Sequence, residues 1–243
     1  MRIFGVTDRG CVREQNQDAF DARMLTPDTA LAVVCDGMGG ARAGNIASTM
    51  AVSQIVSAFQ EQAPKGDPEA VHAALTGAAA QANKEIYHRS MSDPECRGMG
   101  TTVVAAWAAP DHAVLMNEGD SRAYHVRPDG IFLLTRDHSL VQQLLERGDI
   151  TAEQARSHPQ KNLITRALGV EPDLKADLYD LDWHQGESLL LCSDGLSNVL
   201  TEQELLYEVI HGGEPENCCQ RLLDIALRRG APDNVTAVLI VNG

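Results

Sequence analysis

The chain has 243 residues, of which 44% are apolar, so it is long and apolar enough to bury a substantial core and is not a disordered polymer. With 34 acidic against 20 basic residues it carries a formal charge of −14, which excludes binding that rests on neutralising nucleic-acid phosphates. No run approaches the roughly 18 apolar residues of a membrane span, the N-terminus lacks a signal-peptide core, and the 6 cysteines form no C-x-x-C. A cytoplasmic protein with reduced, packing cysteines is expected.

Residues 1–40 read as a strand, a polar turn and a second strand. The turn, Asp8 to Phe20, is dense in polar side chains beside buried chain, so it is either solvated or lines a site. The second strand is the apolar run Ala30 to Cys35, which ends in Asp36-Gly37-Met38-Gly39-Gly40. Glycines let the backbone turn sharply and approach a ligand closely. A carboxylate at such a strand end suits a hard divalent cation.

From Gly44 to about Gln62 the spacing of Val52, Ile55, Val56 and Phe59 predicts an amphipathic helix. Asp67-Pro68-Glu69 starts another. It runs to about Ser90 with Val71, Leu75, Ala78, Ala79, Ala82 and Ile86 on one face, and its alanines predict close packing on the first helix. Strands follow at Thr101–Trp107, Ala113–Asn117, Arg122–Val126 and Ile131–Leu134. Their short connections predict antiparallel neighbours. A helix-and-loop insertion spans Ser139 to Gly169, in which Thr151-Ala152-Glu153-Gln154 has the form of a capping box.

Leu189–Cys192 is expected as a strand, and Thr201-Glu202-Gln203-Glu204 caps a helix to about His211. A further helix runs from Glu214 to Arg229, stopped by Gly230, before a closing strand at Val235–Val241. Hairpins in blocks with helices paired before and after them predict an α+β fold. The expected form is a four-layer α/β/β/α sandwich of two antiparallel sheets, each covered by a helix pair.

Asp36, Asp120, Asp194 and Asp233 each lie at a predicted strand end, which places one acidic site at one edge of that sandwich. The glycine turn is not a nucleotide loop. A G-x-G-x-x-G count from Gly37 ends on Arg42, and a P-loop count from Gly39 puts Asn45 where the lysine belongs. Aspartates without a histidine pattern favour Mg2+ or Mn2+ over Zn2+. Several carboxylates around a shared one suggest two metals about 3.5–4 Å apart, which activate water and clamp a phosphoryl group. Other phosphatase designs are missing. No cysteine has an arginine six positions on, Val34 and Cys192 deny a D-x-D at either strand end, and neither R-H-G nor G-N-H occurs. Cys35 and Cys192 adjoin the acidic turns, but thiolates are soft ligands and a packing role is expected.

The motifs Arg13-Glu14-Gln15-Asn16-Gln17-Asp18, Asp36-Gly37-Met38-Gly39-Gly40, Gly98-Met99-Gly100-Thr101-Thr102, Gly119-Asp120-Ser121-Arg122, Thr165-Arg166-Ala167-Leu168-Gly169, Ser193-Asp194-Gly195 and Asp233-Asn234-Val235-Thr236 occur in this order. Together they resemble the bacterial branch of the metal-dependent protein phosphatases, the phosphatase 2C type. The resemblance implies a serine/threonine phosphatase with two Mn2+ or Mg2+ ions. Asp36 would bridge both, the Gly37 carbonyl would bind the first, and Asp194 and Asp233 would hold the second. Asp120 with Asp194 would hold a third, weaker ion, Asp18 would orient metal-bound waters, and Arg13 would grip the substrate phosphate. It further implies direct attack by a bridging water, phosphorylated protein substrates, a cognate Ser/Thr kinase, and a monomer of one catalytic domain over 1–243 with a variable insertion at about 139–169.

Two positions depart from the pattern. Gln17 stands where many relatives have Glu, and Met38 where animal relatives have a histidine proposed as general acid. Methionine cannot donate a proton, so the leaving alkoxide must be protonated by another group. His138 and Asp137 are expected at a helix entry, Asp137 as a cap, and Gly98 to Thr102 as a close backbone approach to the acidic edge. A non-catalytic binding module would require lost aspartates, and all four are present. A hydrolase of small phosphoesters is the alternative the sequence excludes least, because the substrate surface falls mainly in 139–169.

Overall fold

The structure is a computed structural model that describes residues 1–62 and 67–243. The strands are β1 (Arg2–Asp8), β2 (Asp18–Met24), β3 (Ala30–Met38), β4 (Gly100–Thr101), β5 (Val103–Ala108), β6 (His112–Glu118), β7 (Arg122–Arg127), β8 (Gly130–Leu133), β9 (Asp177–Asp182), β10 (Ser188–Cys192) and β11 (Val235–Val241). One sheet has the order β1-β11-β10-β7-β8, the other β2-β3-β5-β6-β9, with β4 paired to β3 and every pairing antiparallel. Helices α1 (Gly40–Gln62) and α2 (Pro68–Ser92) cover the β3 sheet; α3 (Leu140–Arg147) and α4 (Ala152–Arg156) lie in the insertion. The short α5 (Asp194–Ser197) precedes α6 (Glu202–His211) and α7 (Pro215–Arg228), which cover the β11 sheet.

The alternation of side chains along a strand builds these layers. In β3, Leu31, Val33 and Cys35 pack under α1 and α2, while Ala30, Ala32 and Val34 face the other sheet. In β11, Val235, Ala237 and Leu239 pack under α7, while Val238 and Ile240 face inward. Strands buried on both faces read as unbroken apolar runs, which is why they were legible. The expected α/β/β/α sandwich is the fold. The alanine face of α2 is buried against α1 as expected, and among the described residues no helix is long and apolar enough to cross a membrane.

Several local expectations are corrected. Residues 1–40 hold three strands, because the end of the polar turn opens β2, a half-buried edge strand that runs on to Met24. Strand β9 was not foreseen; at the edge beside β6 it turns Asp177, Tyr179 and Leu181 to the half-buried face and Leu178, Asp180 and Asp182 to the exposed one. The stretch expected as one strand from Thr101 is divided between β4 and β5 at Thr102, and α1 begins at Gly40 rather than Gly44. Asp67 precedes α2 without a side-chain cap bond. Most consequential, β6 and β7 do not pair. Gly119, Asp120 and Ser121 carry the chain from one sheet to the other. Both predicted capping boxes, at Thr151 and Thr201, are present.

Candidate active site

Strand ends from both sheets meet around a cleft of about 480 Å³ lined by Arg13, Asp36, Gly37, Met38, Asp120, Asp194 and Asp233, with Asn162 and Ile164 from the insertion. Each wall is fixed by its own backbone chemistry. The Asp36 N–H donates to Thr102 Oγ1 at 2.9 Å, and the Asp36 carbonyl accepts from the Thr102 N–H at 2.9 Å and from Thr101 Oγ1 at 3.0 Å. This is the close approach expected of Gly98 to Thr102. At Gly37 a Cβ would fall 2.1 Å from the Gly44 carbonyl oxygen, so only glycine lets β3 pass under the start of α1.

Asp194 opens α5, where its Oδ2 accepts from Asn198 Nδ2 at 3.0 Å and its Oδ1 is buried with no hydrogen-bond partner. Asp233 Oδ1 accepts from the Asn234 N–H at 2.9 Å, and its Oδ2 accepts from Arg13 Nη2 at 2.7 Å. Arg13 is half exposed at the cleft mouth. Asp120 stands on the crossover between the sheets, not at a hairpin tip, and it shares the cleft with the other three aspartates.

Asp18 lies beneath the cleft, directly across the ladder from Asp36. Its Oδ2 accepts from Ser193 Oγ at 2.7 Å and Thr236 Oγ1 at 2.6 Å; its Oδ1 is buried and unpartnered. Burial, then the charge of neighbouring carboxylates, pushes Asp120 up to about 8. Burial likewise raises Asp194 to about 6, reinforced by Asp233. It raises Asp18 to about 7 against the pull of its two hydroxyl donors, and carries Asp36 well above the carboxylate range. So many acids in one desolvated place cannot all ionise without added positive charge.

The residues fit a hard divalent cation. Two buried carboxylate oxygens lack any donor, a condition that costs about 1–3 kcal/mol or more each. The available donors are all oxygen.

Other residues that hold the site carried weaker signals. Asn234 donates from Nδ2 to the carbonyls of Arg9 and Gln15 at 2.9 Å and accepts from the Gln17 N–H at 2.8 Å, which pins the loop bearing Arg13. An Asn directly after a ligand-type Asp and before a strand was the only hint of this. Asp137 is not a cap: it receives Arg122 through Nε at 3.0 Å and Nη2 at 2.6 Å, and Ser139 caps α3 instead. Cys35 and Cys192 are fully buried, and burial drives the Cys192 thiol up to about 12, so both stay neutral packing groups outside the cleft wall.

Residues 12–224 match the family model for protein phosphatase 2C, and the chain belongs to that family. It is 38% identical over 241 residues to the serine/threonine phosphatase stp of Listeria innocua, covering 96% of this chain and 93% of that protein. Among solved structures, the S. agalactiae serine/threonine phosphatase superposes with a TM-score of 0.92 at 35% identity, covering 99% of both chains. The catalytic domain of the serine/threonine phosphatase PstP, solved in complex with two manganese ions, gives 0.86 at 34% identity, covering 98% of this chain and 96% of that one.

Proposed function

We infer that this chain is a metal-dependent protein serine/threonine phosphatase that acts on phosphorylated proteins and reverses a Ser/Thr kinase. The observation that carries the reading is the pair of donorless carboxylate oxygens, on Asp18 and Asp194, at an edge where Asp36, Asp120 and Asp233 also meet. Relatives of this family bear serine/threonine phosphatase names, and one is solved with two manganese ions. Two Mn2+ or Mg2+ ions would be held here by Asp36, the Gly37 carbonyl, Asp194 and Asp233, which line one cleft. Asp120 with Asp194 would hold a third, weaker ion. Bound there, the ions supply Lewis-acid charge for the phosphoryl oxygens and a water of lowered pKa as nucleophile.

The chain's own groups do the rest. Asp18 sits behind Asp36, where its donorless Oδ1 would accept from metal-bound water and orient it. Arg13 engages Asp233 with one nitrogen, and a guanidinium has five donors, so a fork remains for two phosphate oxygens. Arg13→Ala should raise KM for a phosphopeptide about tenfold or more and change kcat less, since a hydrogen bond to a charged group contributes about 1.5–3 kcal/mol. An unchanged KM on both a phosphopeptide and an aryl phosphate would place Arg13 outside the binding site.

Met38 lines the cleft but has no proton to give. We assign support of the departing alkoxide to the Asp120 side. Asp120→Ala should keep tight binding of two metals by calorimetry. It should lose more rate on phosphopeptides than on aryl phosphates, whose leaving groups depart without a proton. Equal losses on both would contradict the assignment. The insertion at 139–169 contributes Asn162 and Ile164 to the substrate wall, and we propose one catalytic unit working as a cytoplasmic monomer. The reading is tested by assaying matched phosphoserine, phosphothreonine and phosphotyrosine peptides with and without Mn2+. Metal-dependent hydrolysis of the first two is expected; activity confined to small phosphoesters would instead favour a metabolite phosphatase.

A further inference from the structure

His138 is 3% exposed, lies outside the cleft wall, and has no part in the chemistry above. We propose that it is a positioning residue for Asp120, holding the crossover that carries this aspartate through a two-point clamp on Gly119. The proposal rests on the reading of Asp120 as part of the site. The His138 N–H donates to the Gly119 carbonyl at 2.8 Å, and the Gly119 N–H donates to His138 Nδ1 at 3.1 Å.

On the other side of Asp120, Ser121 Oγ is 2.8 Å from Thr102 Oγ1, the same hydroxyl that receives the Asp36 N–H. Gly119 has φ +122° and a Cβ there would fall 2.6 Å from Thr102 Cβ, so the crossover is pressed against the β4–β5 break as well. Asp120 is therefore the one residue between two fixed neighbours. His138 supplies the hold on its N-terminal side.

The ring is itself oriented. Because Nδ1 accepts from Gly119, the proton of the neutral imidazole is on Nε2, which donates to Asp177 Oδ2 at 3.0 Å. Burial lowers the His138 pKa and favours this neutral form. Arg166 Nη1 donates to the other oxygen of Asp177 at 3.3 Å, which holds that carboxylate in place. His138 also accepts the Thr165 N–H at its own carbonyl, 2.7 Å away, so the returning limb of the insertion closes over the clamp.

Two amide variants separate the halves of this ring. In His138→Asn the side-chain oxygen stands where Nδ1 stood and still accepts from Gly119, while the link to Asp177 is lost. In His138→Gln the amide nitrogen stands where Nε2 stood and still donates to Asp177, while Gly119 is left without its acceptor. At saturating Mn2+ on a phosphopeptide, His138→Gln should lower kcat on the order of ten- to a hundredfold with KM little changed, as misplacement of a working group does. His138→Asn should stay close to the parent rate, although both variants soften the same buried site and lower the melting temperature alike. In an Asp120→Ala background, His138→Gln should add no further loss.

Equal kcat losses in the two amides, or a His138→Gln loss that persists without Asp120, would overturn the clamp. A rate loss in Asp120→Ala with none in His138→Gln would overturn it too, leaving Asp120 in its role. An Asp120→Ala enzyme with unchanged kcat would overturn the role of Asp120 and the proposal with it.

Discussion

Asp36→Asn should lower kcat at saturating Mn2+ by a factor on the order of 10² to 10³, the loss typical when one preorganised electrostatic group is removed. The substitution is nearly isosteric, and the backbone of Asp36 is held by Thr101 and Thr102 whatever its side chain. Burial holds Asp36 of the metal-free protein toward its neutral acid form, so a neutral amide replaces a neutral acid and the metal-free variant should melt about where the parent does. Stability kept and turnover lost is the pattern expected of a metal-holding carboxylate, and the opposite of what a packing residue would give. Turnover on a phosphothreonine peptide, read beside a thermal melt, decides it. A folded variant with near-normal kcat at saturating Mn2+ would overturn the assignment.

The metal-free protein should lose stability as pH rises from 6 to 8. The sign follows from proton linkage. Asp194 at about 6, Asp18 at about 7 and Asp120 at about 8 are raised from an ordinary value of 3.8, so between these limits the folded chain binds more protons than the unfolded one. The stability they contribute is fully present below about 3.8 and is lost as pH climbs through the raised values. Divalent ions bind the ionised carboxylates, so Mn2+ should raise Tm more at pH 8 than at pH 6. A chain of this size gains about 2–4 °C per kcal/mol, and a difference of several degrees between the two pH values is expected. Melting curves in chelator and in Mn2+ at pH 6, 7 and 8 test this. Metal-free stability that rises with pH over that range, or an Mn2+ shift independent of pH, would contradict it.

The acidic edge was legible because its signal is local. Asp36 and Asp194 each close an apolar run, and the glycines beside them announce a close approach. The rest depends on partners far along the chain. Asp18 gains its seat from Ser193 and Thr236, at separations of 175 and 218 residues, and no local pattern joins them. Asp137 reads as a cap because it stands just before a helix, yet its partner is Arg122, 15 residues earlier in another element. The crossover at Gly119–Ser121 is short enough for a hairpin. Local length cannot tell a turn within one sheet from a step between two, and what holds this step is a histidine 19 residues on. β2 and β9 were missed or merged into loops because edge strands carry charged residues on their open side, which blurs the alternation that marks a strand.

The layer between the two sheets is rich in alanine, with Ala30, Ala32, Ala106, Ala108, Ala113 and Ala123 all fully buried there. Asp36 projects from one of these sheets, while Asp194 and Asp233 flank strands of the other. The thickness of that methyl-lined layer is therefore the ruler that spaces carboxylates arriving from opposite sides. A tolerance on the scale of a coordination bond is written into side chains that carry no charge and never meet the substrate, and the gauge of the reaction centre lies in the plainest part of the core.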